Sequence, residues 1–336
     1  MGGEVRLIAA VLAVLAMVPA LAVVAAVLSG GRANVYVVLL GALDGWLVPI
    51  LGVAGLLAVI SRYWWLLACV VVVLGASLFV APPWPTGGGR GPPEGSGPPV
   101  GSGPPPDGGV PLRVMALNLE FGRADAPAVV AAVRRARPDV LALCELTPDS
   151  VSRLDAAGLA TLLPYSLAFP QPTSAGTGLW SATPLARATR LPTLHFEAVR
   201  ATVHPAGRPA VTFFAVHPAP PQWRADFLAD YRVLRAVLGS ALDSGEPTVV
   251  AGDLNAAPAN GPLRRVLDLG LTDTAMATRW RWQALTWPAD RWFPPVLRID
   301  HVLVSTQIVP RGIDTIHIPG TDHRAVVAEL ALTAEG

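Results

Sequence analysis

The chain has no lysine: all 25 of its basic residues are arginine, set against 24 acids for a net charge of +1. Charged residues make up only 15% of the 336 positions. No long basic run occurs, which excludes the electrostatic footprint of a strong polyanion binder. Cysteine is nearly absent. Of the two present, Cys69 lies in an apolar run and Cys144 closes an expected strand. That puts one in a membrane and the other in a core, so no disulfide is expected, and the count does not assign a redox compartment. There is no internal repeat and no G-x-S-x-G elbow, which argues against a serine hydrolase. What the chain has in excess is apolar surface, at 52% hydrophobic residues and a mean hydropathy of +0.48. This is unusual for a purely soluble protein, and the excess sits at the front.

From Leu7 to Gly31 no residue is charged, a stretch long enough to cross a bilayer. It is longer than a usual signal-peptide core and further apolar segments follow, which favours a retained helix over a cleaved leader. Three transmembrane helices are expected, at 7–29, 37–60 and 63–80, within a region 1–80. Trp46, Tyr63, Trp64, Trp65 and Trp84 suit interfacial belts. Asp44 interrupts the second segment and is read as lying near the interface. Three spans put the chain ends on opposite sides. Arginine placement does not fix sidedness, with Arg6 and Arg62 facing one side and Arg32 and Arg90 the other. Residues 81–110 hold ten prolines and ten glycines, too little apolar surface to fold, and read as a linker. Its reach is about 30 Å as a coil and about 90 Å if extended. Uncharged Pro/Gly tethers suit exported domains, so the following domain, 111–333, is expected outside the cytoplasm.

That domain alternates strands and helices. Arg113 to Leu117 reads as a strand closing on Asn118, and Asp125-Ala126-Pro127 as a helix start with an acidic N-cap. The helix runs to about Arg137, and Val140 to Cys144 forms a second strand closing on Glu145. Gly176 to Ser181, Val199 to Val203 and Ala210 to Val216 are further strands, the last closing on His217. Gln222 to Gly239 carries an amphipathic stripe, and Pro262 to Leu267 is a short helix. Thr248 to Ala251 is a buried strand. Gly252 is expected to turn the backbone so that Asp253 and Asn255 stand on a loop beyond it. Ile299 to Val304 and Ala325 to Leu332 are the last strands, with Gly320-Thr321-Asp322-His323 as a polar turn between them.

Asn118, Glu145, His217, Asp253 with Asn255, Asp300, and Asp322 with His323 therefore all sit at or beside an end of an apolar strand, where α/β folds place their sites. A carboxylate can hold a divalent cation or take a proton from water, and a nearby amide can orient that water or a phosphate oxygen. The pieces LNLEFG around Asn118, LALCEL around Glu145, FAVHP around His217, VVAGDLNA around Asp253, RIDHVLV around Asp300 and GTDHRAVVAEL around Asp322 occur in this order from Leu112 to Leu332. In them the chain resembles the endonuclease/exonuclease/phosphatase superfamily (deoxyribonuclease-I-like), and in particular its branch with three N-terminal membrane helices and a Pro/Gly tether. Leu254 stands where phenylalanine is frequent in that family, and Pro218 where many members have leucine.

The resemblance implies an α/β two-sheet sandwich flanked by helices, preceded by an all-α transmembrane region. It implies a hydrolase acting on phosphate esters of the nuclease or phosphodiesterase type. Glu145 would ligate Mg²⁺ or Mn²⁺, Asn118 would help position that metal or the phosphate, and Asp322 would complete the shell. Asp253 would orient or deprotonate the attacking water, and Asn255 would hold a non-bridging oxygen. His217 and His323 would donate to the phosphate, and Asp300 would fix the tautomer of His323. His301 points to the opposite face of its strand and reads as packing or surface. His195, His204 and His317 read as incidental. Trp280, Trp282, Trp287 and Trp292 read as core and rim, while Arg279, Arg281 and Arg298 are candidates for substrate phosphate. The expected protein is a multi-pass cell-membrane phosphodiesterase acting on nucleic acid or a phospholipid headgroup, with no obligate protein partner. A non-catalytic headgroup-binding scaffold is the competing class, and it predicts loss of Glu145, Asp253 or His323, all of which are present.

Overall fold

The computed structural model describes residues 2–28, 43, 46–80, 110–191, 194–205, 209–277 and 284–332. The chain divides into two compact units, Met1–Thr86 with Ala257–Arg264, and Gly87–Ala256 with Arg265–Gly336. Asp44, most of the expected linker, and Arg279, Trp280, Arg281 and Trp282 lie outside the described residues.

In the first unit, α1 (Gly3–Leu28), α2 (Leu47–Ser61) and α3 (Trp64–Val80) pack on one another. On α1 the buried positions Ala10, Ala13, Met17, Ala20, Val24 and Val27 recur at alternating spacings of three and four, as in a coiled-coil seam. Leu51, Ala54 and Ala58 on α2, and Leu66, Val70 and Val73 on α3, continue that seam. The large side chains Leu7, Ile8, Leu15, Val18, Leu21, Leu56, Val71 and Val72 point outward and are exposed. Among the described residues, α1 alone is long and apolar enough to cross a membrane or serve as a signal anchor. The expected three-helix transmembrane region is therefore corrected to one candidate span and two shorter apolar helices. The expected second span, 37–60, falls partly outside the described residues, and the helix seen there starts only at Leu47.

The second unit opens with β1 (Val110–Asn118), α4 (Ala126–Ala136), β2 (Val140–Cys144), α5 (Pro148–Ala156) and α6 (Leu159–Leu162). It continues with β3 (Tyr165–Phe169), β4 (Thr177–Ser181), β5 (Leu185–Arg190), β6 (Val199–Val203), β7 (Val211–Ala215), α7 (Arg224–Asp243) and β8 (Thr248–Asp253). After α8 (Gly261–Leu267) come β9 (Thr272–Asp273), β10 (Asp300–Val304), β11 (Ile308–His317) and β12 (Arg324–Leu332). Two six-stranded sheets result, ordered β11-β12-β1-β2-β4-β3 and β5-β6-β7-β8-β10-β9. Within each, one pair is parallel, β1 with β2 and β7 with β8, and these require the crossovers made by α4 and α7. Asp125 caps α4 by accepting the Ala128 N–H at 2.8 Å, as its Asp-Ala-Pro start predicts.

The apolar strand residues divide by pleat. Val114, Ala116, Ala142, Phe213, Ala215, Val249, Ala251, Val302, Val326 and Ala328 form the core between the sheets. Met115, Leu117, Leu141 and Leu143 face the other way and pack with α4 and α5 through Val129, Val133 and Leu154. Phe214, Val250 and Leu303 are also fully buried on the outer face of the second sheet. The free thiol of Cys144 is buried in this unit, where burial pushes its pKa well up.

Three departures from the sequence reading have local causes. β11 was not expected, because Pro310 and Gly312 break its pattern. It lies at a sheet edge with a register shift between those two residues, where both are tolerated. The sequence reading has no helix after Glu145, where α5 stands. In fact Thr147 forms a capping box with Ser150, with Pro148 in the first turn. Asp253 is not on a loop: β8 runs through Gly252 to Asp253, which pairs with Asp300 in the antiparallel register. Gly252 has φ of +143°, and a Cβ there would run into the Val216 carbonyl and approach Cys144 Sγ. Glycine serves close approach here rather than a turn. Gly252→Ala should cost about 2 kcal/mol or more, because backbone has to move to admit the methyl group. Thermal unfolding of the purified chain should show a midpoint lower by about 5 °C, and an unchanged midpoint would contradict this packing.

Candidate active site

The candidate residues come together because of strand direction. The carboxyl ends of β1, β2, β7 and β8 deliver Asn118, Glu145, His217 and Asp253, while antiparallel β10 and β12 begin at the same edge with Asp300 and, just before the strand, His323. The backbone is bent to suit. Glu120, Phe121, Glu145 and Asn255 all have positive φ, near +50°, a conformation that non-glycine residues seldom adopt and that collects at functional sites.

Asp253 is the centre, at 2% exposure. Its Oδ2 accepts from Asn118 Nδ2 at 3.0 Å, and lies 3.5 Å from His217 Nε2 and 3.8 Å from His323 Nε2. Its Oδ1 accepts from the Asn255 N–H at 2.8 Å. Asn118 Nδ2 also donates to Glu145 Oε1 at 3.1 Å, and Asn118 Oδ1 accepts from the Glu120 N–H at 2.9 Å. Glu145 Oε2 accepts from the Phe121 N–H at 2.7 Å. Thr321 Oγ1 donates to the Asn118 carbonyl and accepts from the His323 N–H, tying β1 to the last polar turn.

His323 Nδ1 meets Asp300 Oδ2 at 2.8 Å, as expected, and its Nε2 stands 3.7 Å from Asp322 Oδ1. The other oxygen of Asp322 accepts from Trp287 Nε1 at 2.8 Å, a partner that the irregular tryptophan-rich stretch gave no means of finding. Asn255 sits at the margin, with its amide donating to the Pro218 carbonyl at 3.0 Å. One atom from each of Asp253, Asp300 and His323 lies within 4.8 Å of the others, a grouping that can hold a metal ion.

Burial alone would raise the Asp253 carboxyl. The His217 hydrogen bond and the charges of His323 and His217 outweigh it and hold its pKa at about 2. Burial would lower His323, yet the Asp300 carboxylate, helped by Asp253 and Asp322, lifts it to about 10. His217 is likewise raised by Asp253 against the effect of burial. Burial pushes Asp300 upward, with Asp253 adding to it. The Asp253 charge thus contributes to both shifts, with burial at Asp300 and against it at His323.

The remaining histidines separate from this group. His195 packs against Phe196 and Trp223, and His204 is exposed. His317 helps line an open cavity of about 470 Å³ beside the cluster, with Glu120, Asp290, Arg291 and Thr321. Trp292 is 95% exposed at that side of the domain. Arg298 faces Asp273 at 3.6 Å rather than the cluster, and His301 is buried on the far side of β10.

The model of the Endonuclease/Exonuclease/phosphatase family matches residues 115–323. No curated protein is significantly similar to the chain in sequence. Among solved structures, an endonuclease/exonuclease/phosphatase from Beutenbergia cavernae is 21% identical, with a TM-score of 0.53 over 67% of this chain and 72% of that one. The 3′ phosphatase NExo from Neisseria, bound to a product DNA hairpin, is 20% identical with a TM-score of 0.54 over 65% and 98%. Truncated TDP2 from Caenorhabditis elegans is 16% identical with a TM-score of 0.53 over 66% and 97%. At these identities the likeness is one of fold.

The His323 pair makes a pH prediction. A pKa raised on folding stabilises the folded state fully below about 6.5, and that contribution is lost as pH rises through about 10. In Asp300→Asn the main opposing charge is gone. The His323 ring resonance, followed by NMR, should then titrate far below its wild-type position, toward about 6.5. A wild-type and a variant curve that coincide would remove Asp300 as the cause.

Proposed function

The chain belongs to the endonuclease/exonuclease/phosphatase family and is a hydrolase acting on phosphate ester bonds, and we propose that it is a membrane-anchored phosphodiesterase dependent on a divalent cation. One observation carries the reading: Asn118, His217 and His323 all turn a nitrogen toward the same oxygen of Asp253, with Glu145 alongside.

The donor set fits a hard cation at the Glu145 end. Each Glu145 oxygen accepts one hydrogen bond, leaving lone pairs free on both, and Asp322 Oδ1 faces the same cluster. The trio of Asp253, Asp300 and His323 fits less well, because a protonated His323 has no lone pair to give. Glu145 and Asp322 would therefore hold Mg²⁺ or Mn²⁺, with Asn118 aligning Glu145 against Asp253. Bound there, the cation supplies positive charge to the phosphate oxygens.

The chain's own groups supply the rest. A carboxylate with a pKa of about 2 is a weak base, so Asp253 orients the attacking water and receives its proton only as the new P–O bond forms. Water attacks phosphorus in line with the departing ester oxygen. His323, kept protonated by Asp300, and His217 donate to a non-bridging oxygen whose charge grows in the transition state. Asn255 would hold a second such oxygen with the amide hydrogen that it does not give to the Pro218 carbonyl.

Membrane anchorage by α1 is supported by its length and by its inside-out pattern, with alanine and valine in the seam and Leu7, Ile8, Leu15, Val18 and Leu21 outward, as lipid-facing helices require. The Pro/Gly segment 81–110 then tethers the catalytic unit on the extracytoplasmic side, within reach of phospholipid headgroups or nucleic acid.

The full chain in detergent should hydrolyse bis-p-nitrophenyl phosphate with Mg²⁺ or Mn²⁺ and stop with chelator. Asp253→Ala and His323→Ala should each lower kcat by about 10²–10³-fold. DNA, RNA and sphingomyelin vesicles as substrates separate the two ester classes. A folded chain that hydrolyses none of these with any metal would sink the proposal in favour of a binding scaffold. For the anchor, alkaline carbonate should leave the chain in the membrane, and protease added outside spheroplasts should release the catalytic unit; release by carbonate alone would count against an integral span.

A further inference from the structure

Behind Asp300, on the opposite pleat of β10, lies a second buried group of charges that the reaction as described does not use. His301 is fully buried, with Nδ1 2.9 Å from Asp273 Oδ2 and Nε2 2.8 Å from the Ala256 carbonyl. Asp273 also accepts from the Ala275 N–H at 3.0 Å and faces the Arg298 guanidinium at 3.6 Å. Burial would raise the Asp273 carboxyl, but Arg298 and His301 together hold it at about 2, so it is an acceptor only. A backbone carbonyl is likewise an acceptor only. Each ring nitrogen of His301 is thus within hydrogen-bond distance of an acceptor, and the ring sits as a two-pronged clamp between β9 and the segment that follows β8.

That segment is the catalytic turn. Ala256 is next to Asn255, whose left-handed φ of +50° is costly for a non-glycine residue and persists only where surroundings impose it. Within the turn the Asn255 N–H holds Asp253 Oδ1 and its side chain holds the Pro218 carbonyl, next to His217. His301 stands opposite Gly252 in the strand register, so one β8–β10 rung carries the clamp and the next carries Asp253 and Asp300.

We propose that His301 is a positioning residue for phosphoester hydrolysis, which fixes the Asp253–Ala256 turn by bridging Asp273 and the Ala256 carbonyl through its two ring nitrogens. It touches neither substrate nor metal, and it acts through the aim of Asp253 and Asn255. The inference rests on the proposed roles of those two residues, but it fails separately.

The test uses the full chain in detergent with bis-p-nitrophenyl phosphate and Mn²⁺. His301→Gln lacks the ring that spans the two partners and should lower kcat by about 10²-fold, the usual effect of displacing reacting groups by about an ångström, with KM changed by less than about threefold. Asp273→Asn can turn its amide to donate to Nδ1, leaving Nε2–H on Ala256, and should retain most of the activity. In the wild type with ¹⁵N-labelled histidine, a His301 ring N–H should be held against exchange with water, as its two contacts require. A His301→Gln chain that melts earlier but keeps its kcat below the melt would reduce His301 to core packing and overturn the proposal. So would a wild type whose His301 ring N–H exchanges freely with water, a readout that does not require the variant to fold. An inactive wild type would instead strike at the phosphodiesterase reading itself.

Discussion

A carboxylate that must stay ionised at 2% exposure is the constraint on which the catalytic unit depends. An unpaired charge in such a place is expensive, and it is tolerated here because Asn118, His217, His323 and the Asn255 N–H surround it with donors. Each donor comes from a different element, so the charge and the fold support one another. Both sheets have to meet, and β10 and β12 have to run opposite to β8 and β1, before the donors arrive. Asp300 and Asp273 extend the same arrangement, one holding His323 in front of β10 and the other holding His301 behind it.

The helical unit obeys a different rule. Its seam consists largely of alanine and valine and its outer surface of leucine, isoleucine and valine, the reverse of a water-soluble bundle. Hydropathy cannot show such a pattern, because every face is apolar. Only size distinguishes seam from exterior, and the alternating spacing from Ala10 to Val27 is where it becomes visible. Helix length is less accommodating. The 26 residues of α1 meet the thickness of a bilayer, while the 15 of α2 and 17 of α3 are short for it.

Much of the catalytic unit was legible in the chain because its central strands are buried on both faces and end abruptly on polar residues, as Val140 to Cys144 does before Glu145. Edge strands gave weaker signals. β5 exposes most of its residues and carries Arg187 and Arg190, and β11 contains Pro310 and Gly312, so neither alternates cleanly. A glycine before an acid is ordinary turn chemistry and by itself puts Asp253 on a loop, whereas Gly252 is there to let two backbones approach. Trp287 and Asp273 could not have been found from spacing. They lie 35 and 28 residues from the groups they hold, with nothing periodic in between.

The chain alone determined which residues are chemically able to act: the acids, amides and histidines at strand ends, their order, and the family to which that order belongs. It also determined that an apolar region and a Pro/Gly segment precede them. Those properties are local, since an apolar run or a strand end is written in a few neighbouring residues. Tertiary structure alone decided which oxygen faces which nitrogen, that His323 keeps its proton while Asp253 gives its own up, and that His301, one residue from Asp300, serves the opposite face of the strand. Charge states and hydrogen-bond partners depend on burial and on distances between segments far apart in the chain, and those exist only once the two sheets have closed on each other.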